Sequence, residues 1–179
     1  MVDLILYGNS NKSLYLTLKQ LLSADSSVLC LSPEEYSGVS QPDFLLCRGI
    51  APSQLVCGRF ILILGEDPSE GWRLSCGVPA VAVVNSSCRR AVSLAVDAEL
   101  TTLSCGLRSS DTLTLSSYTE DSAVISLQRS ILSLSQRIVE PVDLPVTFRR
   151  PLDPFTLLAA AAVCLLCDKV HLLQNTFLN

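Results

Sequence analysis

The chain has 179 residues, 49% of them hydrophobic and 17% charged, with a formal net charge of -4 at pH 7. That length and apolar content are enough for one domain with a buried core, and they exclude a disordered chain. The acidic balance argues against nucleic acid or an anionic membrane as the main partner, since both select basic surface.

Val2 to Tyr7 is a short apolar, strand-like run, and Ser13 to Leu22, "SLYLTLKQLL", has helical spacing. Four compact apolar runs follow at 27–32, 43–48, 59–65 and 79–85, bounded by Pro, Gly, Ser and Asp. Unbroken apolar runs without polar alternation suit strands covered on both faces, as in a parallel sheet. Arg89 to Val96 reads as a helix, with Ser86 or Ser87 near its N-cap, and 100–106 as a strand ending in glycine. The character then changes. The runs 111–118, 122–129 and 143–149 are short, separated by turn residues, and the first alternates, which predicts a small antiparallel insertion over 107–150. The last long element is the Ala-rich helix after Pro154. Its apolar run, Phe155 to Cys167, falls short of the roughly 20 residues that span a bilayer. The fold class predicted is α/β: a mostly parallel sheet with flanking helices over 1–106, the β-rich insertion, and a closing helix and tail over 151–179.

The eight cysteines sit in or beside apolar runs, where cysteine acts as a small hydrophobe, and Met1-Val2-Asp3 lacks the positive region of a signal peptide. A reduced, cytoplasmic protein is expected. Cys164-Leu-Leu-Cys167 lies within an apolar helix, and no second pair has zinc spacing, so core packing is the expected role. His171, the single histidine, has no nucleophile-elbow motif to serve and reads as an ordinary surface or partly packed residue. Glu66 and Asp67 read as loop carboxylates, and Arg149-Arg150 as part of a turn.

The segment with chemical content is "GNSNKS", Gly8 to Ser13, between the first strand and the first helix. A strand feeding a tight glycine turn and then a helix presents backbone N–H groups to a phosphate, with the positive end of the helix dipole behind them. Gly8 supplies the first glycine, Asn9, Ser10 and Asn11 the turn, and Lys12 the charge that neutralises phosphate. Ser13 supplies a hydroxyl able to hold Mg²⁺. Asn11 stands where a phosphate loop has glycine. It tolerates left-handed backbone angles, but its side chain crowds the approach of a phosphate. The competing reading is a plain strand-to-helix turn in which Lys12 is solvated and Ser10 caps the helix.

Three segments taken together resemble the central ATPase domain of the Mur ligase family. "GNSNKS" aligns on the family's GTxGKT loop. The stretch from Val78 to Tyr118 resembles a strand ending in Asn-Ala-Asp-Asp, a helix, a strand ending in an aromatic-Gly pair, and a β-insertion. "VDLPVTFRRPLDPFTLLAAAAVCLLC" resembles the segment that leads into the family's closing helix. The resemblance implies a P-loop-like fold and an ancestry of ATP-dependent amide-bond ligases, which phosphorylate a carboxylate and let an amine attack. It implies that Gly8, Lys12 and Ser13 face the phosphates of ATP or another nucleotide bound with Mg²⁺, and that Asn85 helps bind the nucleoside.

Several positions depart from the family pattern. Ser86 and Ser87 stand in place of two aspartates, and Cys47 or Arg48 in place of a metal-binding glutamate. Glu66 and Asp67 lack the histidine that follows there, and Leu152-Asp153-Pro154-Phe155 replaces a His-Asn pair. Ligase turnover needs Mg²⁺ to offset phosphate charge. The expectation is a degenerate Mur-ligase-like domain without ligase turnover that retains nucleotide or phosphate binding. The alternative is a non-enzymatic interaction module that meets a protein partner or forms a homodimer.

Overall fold

The computed structural model describes residues 1–7, 12–49, 59–66 and 80–175. In chain order the elements begin with strand β1 (Val2–Tyr7), helix α1 (Lys12–Leu22), β2 (Val28–Ser32), β3 (Glu35–Ser37), β4 (Phe44–Arg48), β5 (Arg59–Leu64) and β6 (Ala80–Asn85). Helix α2 (Arg89–Asp97), β7 (Thr101–Cys105), β8 (Leu113–Tyr118) and β9 (Ser122–Leu127) follow. The chain then forms β10 (Ile131–Leu132), β11 (Ile138–Val139), β12 (Val142–Thr147), α3 (Pro154–Leu166) and α4 (His171–Asn175).

One ten-stranded sheet runs in the order β12-β9-β8-β7-β6-β5-β1-β4-β2-β3. All neighbours from β2 through β8 are parallel, and antiparallel pairs occur only toward the two edges. The α/β, mostly parallel architecture expected from the unbroken apolar runs is what forms. Burial on both faces explains those runs. Leu4 and Leu6 face one core with α1, α3 and α4, while Ile5 faces a second core with Ala91 and Ala95 of α2. Helix α1 buries Leu14, Leu18, Leu21 and Leu22 on the first side, at the spacing that aligns side chains on one helix face. Helix α3 is buried from Thr156 to Leu166, which is why it reads as apolar all round.

The insertion is antiparallel, as expected, and most of it joins the main sheet. Strand β8 joins β7 in parallel at Cys105 and Leu113, and β9 and β12 extend the same sheet. Only β10 and β11 form an independent two-stranded ribbon. The reason is packing: Leu113, Ile125, Leu127, Leu144 and Val146 bury the same face as the core under α3. Tyr118 stacks on Phe148, ring centroids 5.9 Å apart, and its hydroxyl donates to the Leu152 carbonyl at 2.8 Å. That tie fixes the hairpin to the start of α3.

Two local expectations are corrected. The N-cap of α2 is Cys88, with no side-chain cap, rather than Ser86 or Ser87. Asn85 is the cause: its Oδ1 accepts the Ser87 N–H at 3.0 Å and the Ser87 hydroxyl at 2.6 Å, a side-chain turn that delays the helix by one residue. Elements β3, β10, β11 and α4 are too short to show periodicity and were not anticipated. Among the described residues no helix is long and apolar enough to cross a membrane.

Candidate functional site

The strand order contains a reversal. From β1 the chain crosses by α1 to β2 on one side and fills the gap with β4, and β5 then lies on the other side of β1. In open α/β sheets ligands bind outside the carboxyl ends of the strands at such a switch point. Here that is the end of β1, where the "GNSNKS" segment begins. Gly8, Asn9, Ser10 and Asn11 lie outside the described residues. Lys12 and Ser13 are the first two residues of α1, and both are exposed. The first turn of α1 contains no acidic side chain to compete with an anion.

Asn85 ends β6, which is separated from β1 by β5 alone. Two interstrand steps of ~4.8 Å put these strand ends about 10 Å apart. Asn85 is 7% exposed and lines a cleft of about 320 Å³ at the carboxyl edge of the sheet. Its Oδ1 is taken by Ser87, so its amide N–H groups are what it has to offer a ligand. Glu66 after β5, Ser86, Gly106, Arg108 and the start of α3 complete the cleft.

The floor of the cleft is tightly built. The Ser86 N–H donates to the Cys105 carbonyl at 3.0 Å, carrying the β6–β7 ladder one step past Asn85. Asp111 is 3% exposed, and its Oδ2 accepts the Arg108 N–H at 3.0 Å, fixing the turn after β7. Gly106 sits against both: a Cβ there would lie 2.1 Å from Ser86 Oγ and 2.4 Å from Asp111 Oδ2. Asp153 forms the far wall as N-cap of α3, accepting the Thr156 N–H at 2.8 Å and also the Thr156 hydroxyl, with Pro154 in the first turn. Sequence reasoning passed over Gly106 and Arg108 as site residues. The helix after Pro154 was legible, but nothing local placed its Asp153 cap beside Asn85.

On the other side of β1 lie Cys47 and Arg48, the two residues that stand where the resemblance implies a glutamate. Cys47 shares the Ile5 face and is fully buried, and burial, reinforced by the Asp3 charge, pushes its thiol up to about 11. Arg48 points to the α1 side, its guanidinium carbon 5.6 Å from the Tyr15 ring centroid, and pairs with Glu34. Among the described residues no group of three or more His, Cys, Asp or Glu could hold a metal ion. Mg²⁺ is usually held by one or two carboxylates together with substrate phosphates. On the β4 side Ser13 offers one hydroxyl and Arg48 a positive charge, which do not fit a resident magnesium, and the carboxylate of Glu66 stands on the other side, after β5.

The remaining candidates are structural. Cys164 is fully buried in α3, and burial pushes the Cys167 thiol up to about 12, the reverse of what a metal or redox thiolate needs. His171 is exposed, with Nε2 2.9 Å from Asp25 Oδ2. Arg149 and Arg150 follow β12, exposed, in a bend.

No protein-family model matches the sequence, and no curated protein matches it. Solved structures do. A UDP-N-acetylmuramoyl-L-alanyl-D-glutamate–2,6-diaminopimelate ligase aligns over 97% of this chain and 45% of its own, with TM-score 0.60 and 11% identity. A UDP-N-acetylmuramoylalanyl-D-glutamyl-2,6-diaminopimelate–D-alanyl-D-alanyl ligase from Acinetobacter baumannii aligns over 99% and 46%, with TM-score 0.62 and 11% identity. A further structure, MurF from Acinetobacter baumannii, aligns over 99% and 46%, with TM-score 0.59 and 12% identity. The chain spans less than half the length of each structure it matches. At such identities the likeness carries the fold and not the chemistry. The chain has a Mur-ligase-like α/β fold.

Proposed function

We propose that the chain is a degenerate Mur-ligase-like domain that binds a nucleotide or phosphate through Gly8 to Ser13 and does not carry out ligation. The observation behind this reading is the placement of Lys12 and Ser13 at the start of α1, directly after the central switch strand β1. A phosphate at that point meets a lysine and the positive end of a helix dipole. The cleft around Asn85, about 10 Å away by strand spacing, has room for the nucleoside. Arg48 in place of a carboxylate supports the absence of turnover, since phosphoryl transfer relies on a positioned metal. A thermal-shift titration with ATP, ADP and Mg²⁺ tests the reading, alongside Lys12→Ala. A ligand at 100 times its Kd stabilises by about 2.7 kcal/mol, which is a clear shift for a domain of this size. A saturable shift lost in Lys12→Ala is expected. A flat response at millimolar nucleotide rejects the reading.

A second reading is a protein-interaction module built on the same fold. It is supported by Leu107, which is 68% exposed and lines the cleft together with Phe155. Light scattering of the purified protein distinguishes a homodimer from a monomer. Loss of the dimer in Leu107→Asp would point to this surface.

A further inference from the structure

Strand β4 ends in a charge opposite in sign to the one that a magnesium–nucleotide site uses. Phe44 and Leu46 pack into the core on the α1 side, so Arg48, two residues on, shares their face. The strand register sets Arg48 beside Leu6, the penultimate residue of β1. Tyr15, over which the guanidinium lies, is three residues past Lys12, so both lie on one side of α1. A lysine and an arginine are therefore brought to the same side of α1, near the end of β1. On the far side of β1 stands the single carboxylate of Glu66, among the described residues that follow β5.

Arg48 is also held in an incomplete way. Its side chain is only 13% exposed, it pairs with Glu34 through one Nη, and its buried Nε has no hydrogen-bond partner among the described residues. A guanidinium carries five N–H donors in a fork suited to phosphate oxygens, and the Nε donor is left over here among the described residues. The Glu34 side chain is 60% exposed, so its pairing with Arg48 contributes little and can be exchanged for a better anion.

We propose that Arg48, in place of a divalent cation, offsets the phosphate charge at the end of β1, so that the ligand is a metal-free phosphate group, with Glu34 as its internal competitor. This rests on the reading of Gly8 to Ser13 as a phosphate loop. A magnesium-complexed phosphate carries less negative charge and brings a dication toward a fixed cation, so it binds less well than the free form.

The test is calorimetric titration of the full chain with ATP, inorganic phosphate and adenosine, in EDTA and again in excess Mg²⁺. Metal-free ATP is expected to bind more tightly than the magnesium complex, with inorganic phosphate binding and adenosine not. Arg48→Gln is expected to weaken metal-free ATP by about tenfold, the loss of one charge-assisted contact. Arg48 packs on Tyr15 and its replacement can disturb folding, so Glu34→Gln provides the second arm. Removing the exposed competitor is expected to tighten metal-free binding by about threefold. Binding that appears only with Mg²⁺, adenosine binding as tightly as ATP, or affinity unchanged in both variants overturns the proposal while leaving a ligand site in place. Absence of binding under every condition overturns the phosphate-loop reading as well.

Discussion

Replacing Gly106 by alanine tests how the cleft is built. The new Cβ meets Ser86 Oγ at 2.1 Å and Asp111 Oδ2 at 2.4 Å, both inside the 3.0 Å that real Cβ contacts respect. Ser86 can turn its hydroxyl about χ1 into the cleft that it lines. Asp111 cannot yield so cheaply, because it is buried and its carboxylate accepts the Arg108 N–H at 3.0 Å. Displacing it loses a charge-assisted hydrogen bond, about 1.5–3 kcal/mol. Gly106 is not at positive φ, so alanine regains about 0.4–1 kcal/mol from the narrower unfolded ensemble. The net expectation is a loss of about 1–2 kcal/mol. Asp111→Ala alone loses the same hydrogen bond, and in that background Gly106→Ala has only the Ser86 hydroxyl to turn aside and is expected to be neutral to stabilising by up to about 1 kcal/mol. Urea unfolding of the four proteins, followed by circular dichroism, measures the coupling, which is expected at about 1.5–3 kcal/mol, the worth of the displaced hydrogen bond. If the cost of Gly106→Ala is the same in both backgrounds, the Asp111 carboxylate is not what confines the glycine.

Other perturbations follow from the same contacts. Asp153→Ala removes the cap of α3 and is expected to lower stability by about 1 kcal/mol, with Asp153→Asn retaining most of it; thermal unfolding decides. Leu165→Ala leaves a cavity in the α3 core and should cost about 2–5 kcal/mol in the same assay. Hydrogen bonds from Ser26 and then Lys169 hold the Asp25 carboxyl down at about 2. Its folded value is below its unfolded one, so its stabilisation is complete above the ordinary carboxylate range and is lost as pH falls toward about 2. Asp25 is partly exposed, so the effect after solvent screening is about 1 kcal/mol, and Asp25→Asn should flatten the acid limb of a stability–pH curve by that amount. Cys105 and Cys164 are fully buried and burial raises both thiols, so they should resist Ellman's reagent until urea unfolds the chain.

Much of the architecture was legible in the sequence because burial on two faces writes itself as unbroken apolar runs. Strands β1, β4, β5 and β6 all announce themselves this way, α1 shows its buried face, and α3 shows itself as an unbroken apolar run after Pro154. Pro154 marked where that helix starts. The site was only half legible. Lys12 and Ser13 lay in a motif, whereas Arg48 and Gly106 carry no local signature. Whether Cys47 or Arg48 faces α1 depends on which side of the sheet that helix packs, and one residue of register reverses the answer.

The amino-acid order by itself determined which segments are covered on both faces, where α1 and the Ala-rich α3 lie, and that a lysine precedes the helical run after β1. Each of these is a short-range consequence of hydrophobic pattern and backbone preference. Only the tertiary structure decided that β8, β9 and β12 extend the main sheet, that Asn85, Gly106 and Asp153 meet in one cleft, and that Arg48 stands beside the end of β1. Those outcomes depend on pairings between residues tens of positions apart, where strand neighbours and helix faces are chosen by the burial of the whole core rather than by any one segment.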